Sequence, residues 1–108
     1  MTKHNNLSDL AIAVKFEDEQ GQPCGIPSYD FELEFFTHSE FKTVVASQKN
    51  GELTNCGVID GTLVCFFDKP KLGKGQLLTR KTFHIPDENF PDGVNTFVVA
   101  GSLDVVID

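Results

Sequence analysis

At 108 residues the chain is the size of one domain, which buries roughly 60–70% of the surface its unfolded form exposes and so needs no staples to hold a core. Nine Lys and Arg against sixteen Asp and Glu leave a net charge of −7, which argues against a basic face for phosphates and hence against nucleic acid as a ligand. The three cysteines, Cys24, Cys56 and Cys65, make neither a C-x-x-C pair nor a Cys/His set of zinc spacing, and they read as reduced thiols.

Residues 1–9, MTKHNNLSD, lack the apolar core of a signal peptide and read as a flexible N-terminal segment ahead of a single domain that takes in the rest of the 108 residues. No run approaches the ~18 apolar residues of a membrane helix. The expectation is therefore synthesis in the cytoplasm, with no membrane partner. In 10–17, LAIAVKFE, the residues Leu10, Ile12, Val14 and Phe16 share one parity, the period of a half-buried strand. The following 18–28, with two Gly and two Pro, reads as a loop. In 29–38, Tyr29, Phe31, Leu33 and Phe35 face in and Asp30, Glu32 and Glu34 face out, which marks the central strand of the core.

After a short break at Ser39-Glu40, the β-branched stretch 41–48 reads as a third strand. Asn50-Gly51 and Asp60-Gly61 are hairpin signals, because both central residues of a type I′ turn need positive φ. They bracket one strand, 53–59, and 62–68 is the return strand, whose apolar run 63–67 suggests burial on both faces. Strand 76–85 ends at Pro86, which has no N–H to donate, and Pro91-Asp92-Gly93 turns the chain into a last strand, 94–107. In that strand Phe97, Val99, Leu103, Val105 and Ile107 share one parity with Gly101, a residue that marks a bulge or bend. The whole reads as an all-β domain, an immunoglobulin-like antiparallel β-sandwich of about seven strands.

No recognisable catalytic set or cofactor site emerges. His4, His38 and His84 lie in different elements, without the close ligand pair of a zinc site. Asp87, Glu88 and Asp92 crowd one loop but lack the D-x-D-x-D-G spacing of a calcium loop, so turn chemistry explains them. Glu32 and Glu34 share a strand face as glycosidase carboxylates might, but they read as the polar face of an otherwise apolar-alternating strand, with no pocket-forming aromatic beside them. Ser28, Ser39, Ser47 and Ser102 have no nucleophile-elbow context, and Lys71 and Lys74 precede a strand where a phosphate loop needs a helix. The candidate interface is the loop Asp87, Glu88, Asn89, Phe90 and Asp92. Within it Phe90, the sole large apolar side chain, is expected to fold back as a plug over the open end of the sandwich, while the loop holds its two strands in register.

Read in order, GIPSYDFELEFFT, VASQKNGELTNCGVIDGTLVCFF and KLGKGQLLTRKTFHIPDENFPDG, followed by an apolar closing strand, form a pattern over nearly the whole chain. Its distinctive parts are Pro27, Asp30 and Phe31, the Thr-Asn-Cys at 54–56, the Leu-Gly-x-Gly-x-Leu at 72–77, and the segment 85–93. This resembles the small structural proteins encoded in phages and prophages of gut Bacteroidetes and, more loosely, is similar to the N-terminal immunoglobulin-like domain of phage baseplate upper proteins. The resemblance implies a virion building block of the tail or baseplate with no catalytic residues and no cofactor. Its implied partners are other virion proteins, with self-association open, and its implied location is the virion after a stay in the bacterial cytoplasm. Two departures stand out: the chain ends at Asp108 where baseplate proteins continue, and Asp68-Lys69-Pro70 replaces the His or Asn expected after the fifth strand. The alternative from another class is a carbohydrate-binding module at the cell surface, although a chain with ten Phe and no Trp lacks the usual sugar platform.

Overall fold

The computed structural model describes residues 2–18, 20–39 and 42–108. Every element among them is a strand: β1 (Thr2–His4), β2 (Leu10–Val14), β3 (Phe16–Glu17), β4 (Pro23–Cys24), β5 (Asp30–Phe36), β6 (Thr43–Lys49), β7 (Glu52–Thr54), β8 (Cys56–Ile59), β9 (Thr62–Phe67), β10 (Gly75–Pro86) and β11 (Val94–Ile107). Sheet A runs β1-β11-β10-β5-β6-β7, sheet B runs β2-β9-β8, and β3 and β4 form a small ribbon. All pairings are antiparallel except that of β1 with β11.

All seven expected strands are present, and the larger number of observed strands has two causes. Two expected strands break in the middle, and β1 and β4 are additional. Thr2, Lys3 and His4 pair with Val105, Val106 and Ile107, so part of the N-terminal segment read as flexible is built into the sheet. The expected breaks at Glu40 and the start of the third strand at Phe41 lie outside the described residues.

The alternation read in the sequence places the core. Phe31, Leu33, Phe35, Ala46, Leu77 and Ile107 from sheet A meet Leu10, Ile12, Val14, Leu63, Cys65 and Phe67 from sheet B, and all are buried. Phe35 packs edge-on against Phe67, with ring centres 5.7 Å apart, and Phe16 lies 5.4 Å from Phe31, so the aromatic rings bridge the two layers. One expectation fails here. Strand β9 is buried on one face only, and Phe66 is 47% exposed, because among the described residues no third layer covers the outer face of sheet B.

Both two-residue turns adopt the positive φ their sequences call for: Asn50 and Gly51 at 52° and 81°, Asp60 and Gly61 at 50° and 77°. The stretch between them, read as one strand, is split at Asn55, whose φ of 58° lies in the left-handed region. Asn55 is where the chain changes sheets. Strand β7 pairs with β6 in sheet A and β8 pairs with β9 in sheet B. The Asn55 side chain donates to the Val45 carbonyl in sheet A at 2.9 Å, while its own carbonyl accepts from Phe66 N–H in sheet B at 2.8 Å. Asn tolerates that backbone better than other non-glycine residues, which gives the Thr-Asn-Cys motif a physical reason.

The β10–β11 hairpin is much longer than its cover. Strands of 12 and 14 residues face β2 and β9, of 5 and 6 residues. At about 3.3 Å per residue the hairpin reaches ~40 Å against ~20 Å for the covering strands. The molecule is accordingly elongated, 44 × 29 × 25 Å, with a radius of gyration of 14.6 Å where a compact chain of this length has about 13 Å.

Candidate interaction surface

The hairpin loop at 87–93 is closed by its own hydrogen bonds. Asp87 N–H donates to the Gly93 carbonyl at 2.9 Å, Gly93 N–H to the Phe90 carbonyl at 2.9 Å, and Phe90 N–H to the Asp87 carbonyl at 3.3 Å. Two carboxylates serve the same turn: Asp87 Oδ1 accepts from Asn89 N–H at 2.9 Å and Asp92 Oδ1 from Val94 N–H at 3.1 Å. Such Asx contacts and the φ of 75° at Gly93 pin the register down to the last pair, Pro86 with Val94. The register-holding role expected of the loop fits this geometry. The plug does not: Phe90 is 43% exposed and stands outside the core cluster, because the hairpin tip runs on beyond the last β10–β5 pair, His84 with Asp30. Glu88, Asn89 and Asp92 are exposed with it, and Asp87 is half-buried.

A run of three consecutive exposed apolar residues lies further along the hairpin. Phe97, Val98 and Val99 are 48%, 53% and 41% exposed, and they occupy both faces of β11. On the inner face a direct cross-strand row runs Phe31, Phe83, Phe97 across β5, β10 and β11. Phe83 lies 6.4 Å from Phe31 and is stacked 6.5 Å from Phe97. The row begins fully buried under sheet B and ends in solvent. Lys81, one inner-face position along, donates to the Lys15 carbonyl at 3.1 Å, and burial pulls its pKa below the usual lysine value, against an opposing pull from Glu17.

On the outer face of sheet A charged groups meet across β5 and β10. Glu34 meets Arg80 at 3.1 Å, and His84 Nε2 lies 2.9 Å from Glu32 Oε1. The two glutamates that suggested a carboxylate pair therefore each have a cationic or hydrogen-bonding neighbour on β10, while Arg80 also lies over the Phe36 ring at 5.3 Å. These exposed contacts contribute about 0–1 kcal/mol each. His4 and His38 are on other elements, with His4 near the Ser8 carbonyl at 3.4 Å, and among the described residues no three His, Cys, Asp or Glu side chains gather at one point. Lys71 has φ of 52°, a turn conformation, and Gly75 opens β10 beyond it.

Two open concavities flank sheet B, one beside Asp9, Phe66 and Asp68 and the other between Phe16, Pro23 and Ile26. The Asp9 carboxylate is engaged locally, accepting from Lys69 N–H at 3.1 Å. The cysteines are free: Cys24 is exposed, whereas Cys56 and Cys65 stand directly opposite one another across β8 and β9. Burial pushes the Cys65 thiol up to about 12, with the neighbouring Cys56 adding to the rise, and burial raises Cys56 as well.

No family model matches the chain, and the searches of curated proteins and of solved structures return no significant match either. The functional reading therefore rests on the surface just described and on the sequence pattern.

The signal that would have located the exposed surface was present in the letters Phe97-Val98-Val99-Ala100. Four consecutive apolar residues give a strand two apolar faces, and such a strand is either sandwiched or uncovered.

Proposed function

We propose that the chain is a non-enzymatic structural protein of a phage or prophage particle, a tail or baseplate adaptor or decoration, that works by protein–protein contact through its β10–β11 hairpin. The observation that carries the contact role is the uncovered apolar stretch Phe97, Val98 and Val99 on a hairpin that outreaches its cover, in a chain whose net charge is −7. Exposed apolar surface continuous with the core, on a strand backed by β10 and β5, is what a protein partner buries. Phe90 at the tip is a further anchor of the aromatic kind that dominates interface energetics.

The particle setting, and the immunoglobulin-like class of the sandwich, rest on the resemblance carried by Pro27, Asp30, Phe31, the segment 54–56 and the segment 85–93. On this reading Asn55 and Gly93 shape the scaffold, and the hairpin is what that scaffold presents. The test is mass spectrometry of purified particles produced by the strain that encodes the chain. The chain should be found at a fixed ratio to the major tail proteins. Particles that lack it, or a purified chain that binds glycans through the Phe97 face, would overturn the assignment.

A further inference from the structure

The side of β11 facing away from β10 is an open sheet edge. Strand β1 covers it only at Val105, Val106 and Ile107, and the turn closes at Gly93, so the free stretch is 94–104. The loop bond from Asp87 N–H to the Gly93 carbonyl sets the phase of the ladder. With the register Ile85–Asn95, Phe83–Phe97 and Lys81–Val99, the odd residues of β11 bond to β10 and the even ones aim their N–H and C=O outward. Val94 fits that phase, its outward N–H being taken by Asp92 Oδ1 at 3.1 Å. Thr96, Val98, Ala100 and Ser102 present theirs with no partner among the described residues.

Edge strands are ordinarily blunted by charge, proline or shortness. The edge strand β2 has 5 residues between Asp9 and Lys15, and β7 has 3 with Glu52 at its start. From Val94 to Leu103 there is neither a charge nor a proline.

We infer that the occupant of this edge is a second copy of the chain, joined β11 to β11 in antiparallel register about a two-fold axis at Val99. The inference rests on the hairpin being a protein-contact surface and does not need the virion setting. The register, the side chains and the charges all favour a copy over an unrelated strand. The midpoint of 94–104 is Val99, so a two-fold there uses the whole free edge of both chains and stops where β1 begins on each. That register places Thr96 opposite Ser102 and Val98 opposite Ala100, and these outward-bonding residues exchange both their hydrogen bonds in narrow pairs.

The side chains also fit by size. Phe97 falls opposite Gly101 of the copy, and a Cβ at Gly101 would meet nothing within 4 Å, so the ring has space to lie across the glycine. Thr96 and Ser102 form a hydroxyl pair of the kind favoured across strands. The charges are compatible too: Asp104 opposes Val94, so no carboxylates face each other along the seam, although each copy carries −7 overall. Self-pairing would join two six-stranded sheets into one and bury Phe97, Val98 and Val99 of both chains.

Sedimentation and native mass spectrometry of the purified full chain over a range of concentrations test this. A concentration-dependent dimer is expected, tightened by added salt as the like net charges are screened. Val98→Pro removes an outward N–H while leaving the bonds to β10, and Val99→Lys sets two cations against each other at the axis. Both should abolish the dimer with the circular dichroism of the strands unchanged, and Val99→Ile should keep it. A wild-type chain that is monomeric at every concentration, a dimer that survives both substitutions, or one that salt dissociates overturns the inference. A monomer found in particles would sink the self-pairing and spare the proposed function, whereas a dimer absent from particles would do the reverse.

Discussion

The inner-face row Phe31, Phe83, Phe97 makes burial measurable one strand at a time, because the three rings share register and chemistry and differ in cover. Phe31 is 0% exposed, Phe83 is half-buried and Phe97 is 48% exposed. Phe31→Ala removes a ring packed between Phe16 and Phe83 and leaves a cavity that sheets A and B cannot close, at a cost of about 3–5 kcal/mol. Against a total stability of roughly 5–15 kcal/mol that is a large fraction. At roughly 4–6 °C per kcal/mol for a domain of this size, the melting temperature should fall on the order of 15 °C. Phe83→Ala should cost about half as much. Phe97→Ala gives up only the covered part of one ring, about 1 kcal/mol. Thermal melts at low protein concentration read these differences, and repeating them at high concentration separates the dimer, since anything that buries Phe97 only in the folded state makes its loss costlier as concentration rises. Equal costs for Phe31 and Phe97 at low concentration would refute the reasoning, because they would mean that sheet B, or something else, covers the end of the row.

Phe90 is 43% exposed, close to Phe97, so Phe90→Ala should cost about 1 kcal/mol as Phe97→Ala does at low concentration, and a loss of the size expected for the core ring Phe31 would restore the plug role. Thr79 is 6% exposed and its Oγ1 is buried without a hydrogen-bond partner among the described residues, so Thr79→Val should stabilise by about 1 kcal/mol in a denaturant titration; a loss would show that the hydroxyl is satisfied. At the sheet switch, Asn55→Gly keeps the left-handed backbone and loses one side-chain bond, whereas Asn55→Val forces a β-branched residue to positive φ and should cost more by roughly 1–2 kcal/mol, with equal costs arguing against the strain. Thiol titration should find three groups in the unfolded chain, while in the native chain Cys24 reacts first and Cys65, buried with its pKa near 12, reacts last. A fast Cys65 would mean that sheet B opens readily.

Much of the fold was legible because strand periodicity and turn chemistry are local. The parity of Leu10, Ile12, Val14 and Phe16, and of Phe31, Leu33 and Phe35, names the core residues correctly, and Asn50-Gly51 and Asp60-Gly61 place two turns to the residue. What escaped depends on the partner of each strand. Nothing local to Asn55 says that the chain passes there from one sheet to the other, since that requires β6 and β9 to lie in different layers. Nor does TKH at 2–4 announce a strand: three polar residues pair with β11 because the edge beside Ile107 is open to them, a tertiary effect that propensity does not contain.

The candidate surface was half legible for the same reason. An apolar strand residue suits a covered face, but the sequence does not say whether the cover is another sheet of the same chain, another molecule or none. In Phe66 and in Val98 that ambiguity was decided against the chain's own layers. The two cases still differ. Strand β9 is central, with both edges paired to β2 and β8, so Phe66 offers only one apolar side chain on a closed ladder. Strand β11 offers backbone as well, because its outward N–H and C=O groups from Thr96 to Ser102 accompany Phe97, Val98 and Val99. Backbone hydrogen bonds fix register, and the apolar side chains on both faces then supply the burial that makes pairing favourable. An exposed apolar residue alone is ordinary on a protein surface. An exposed apolar residue beside an unpaired ladder is a place for another strand, and on that ground β11 is the proposed contact strand, ahead of the ring at Phe66 or the tip at Phe90.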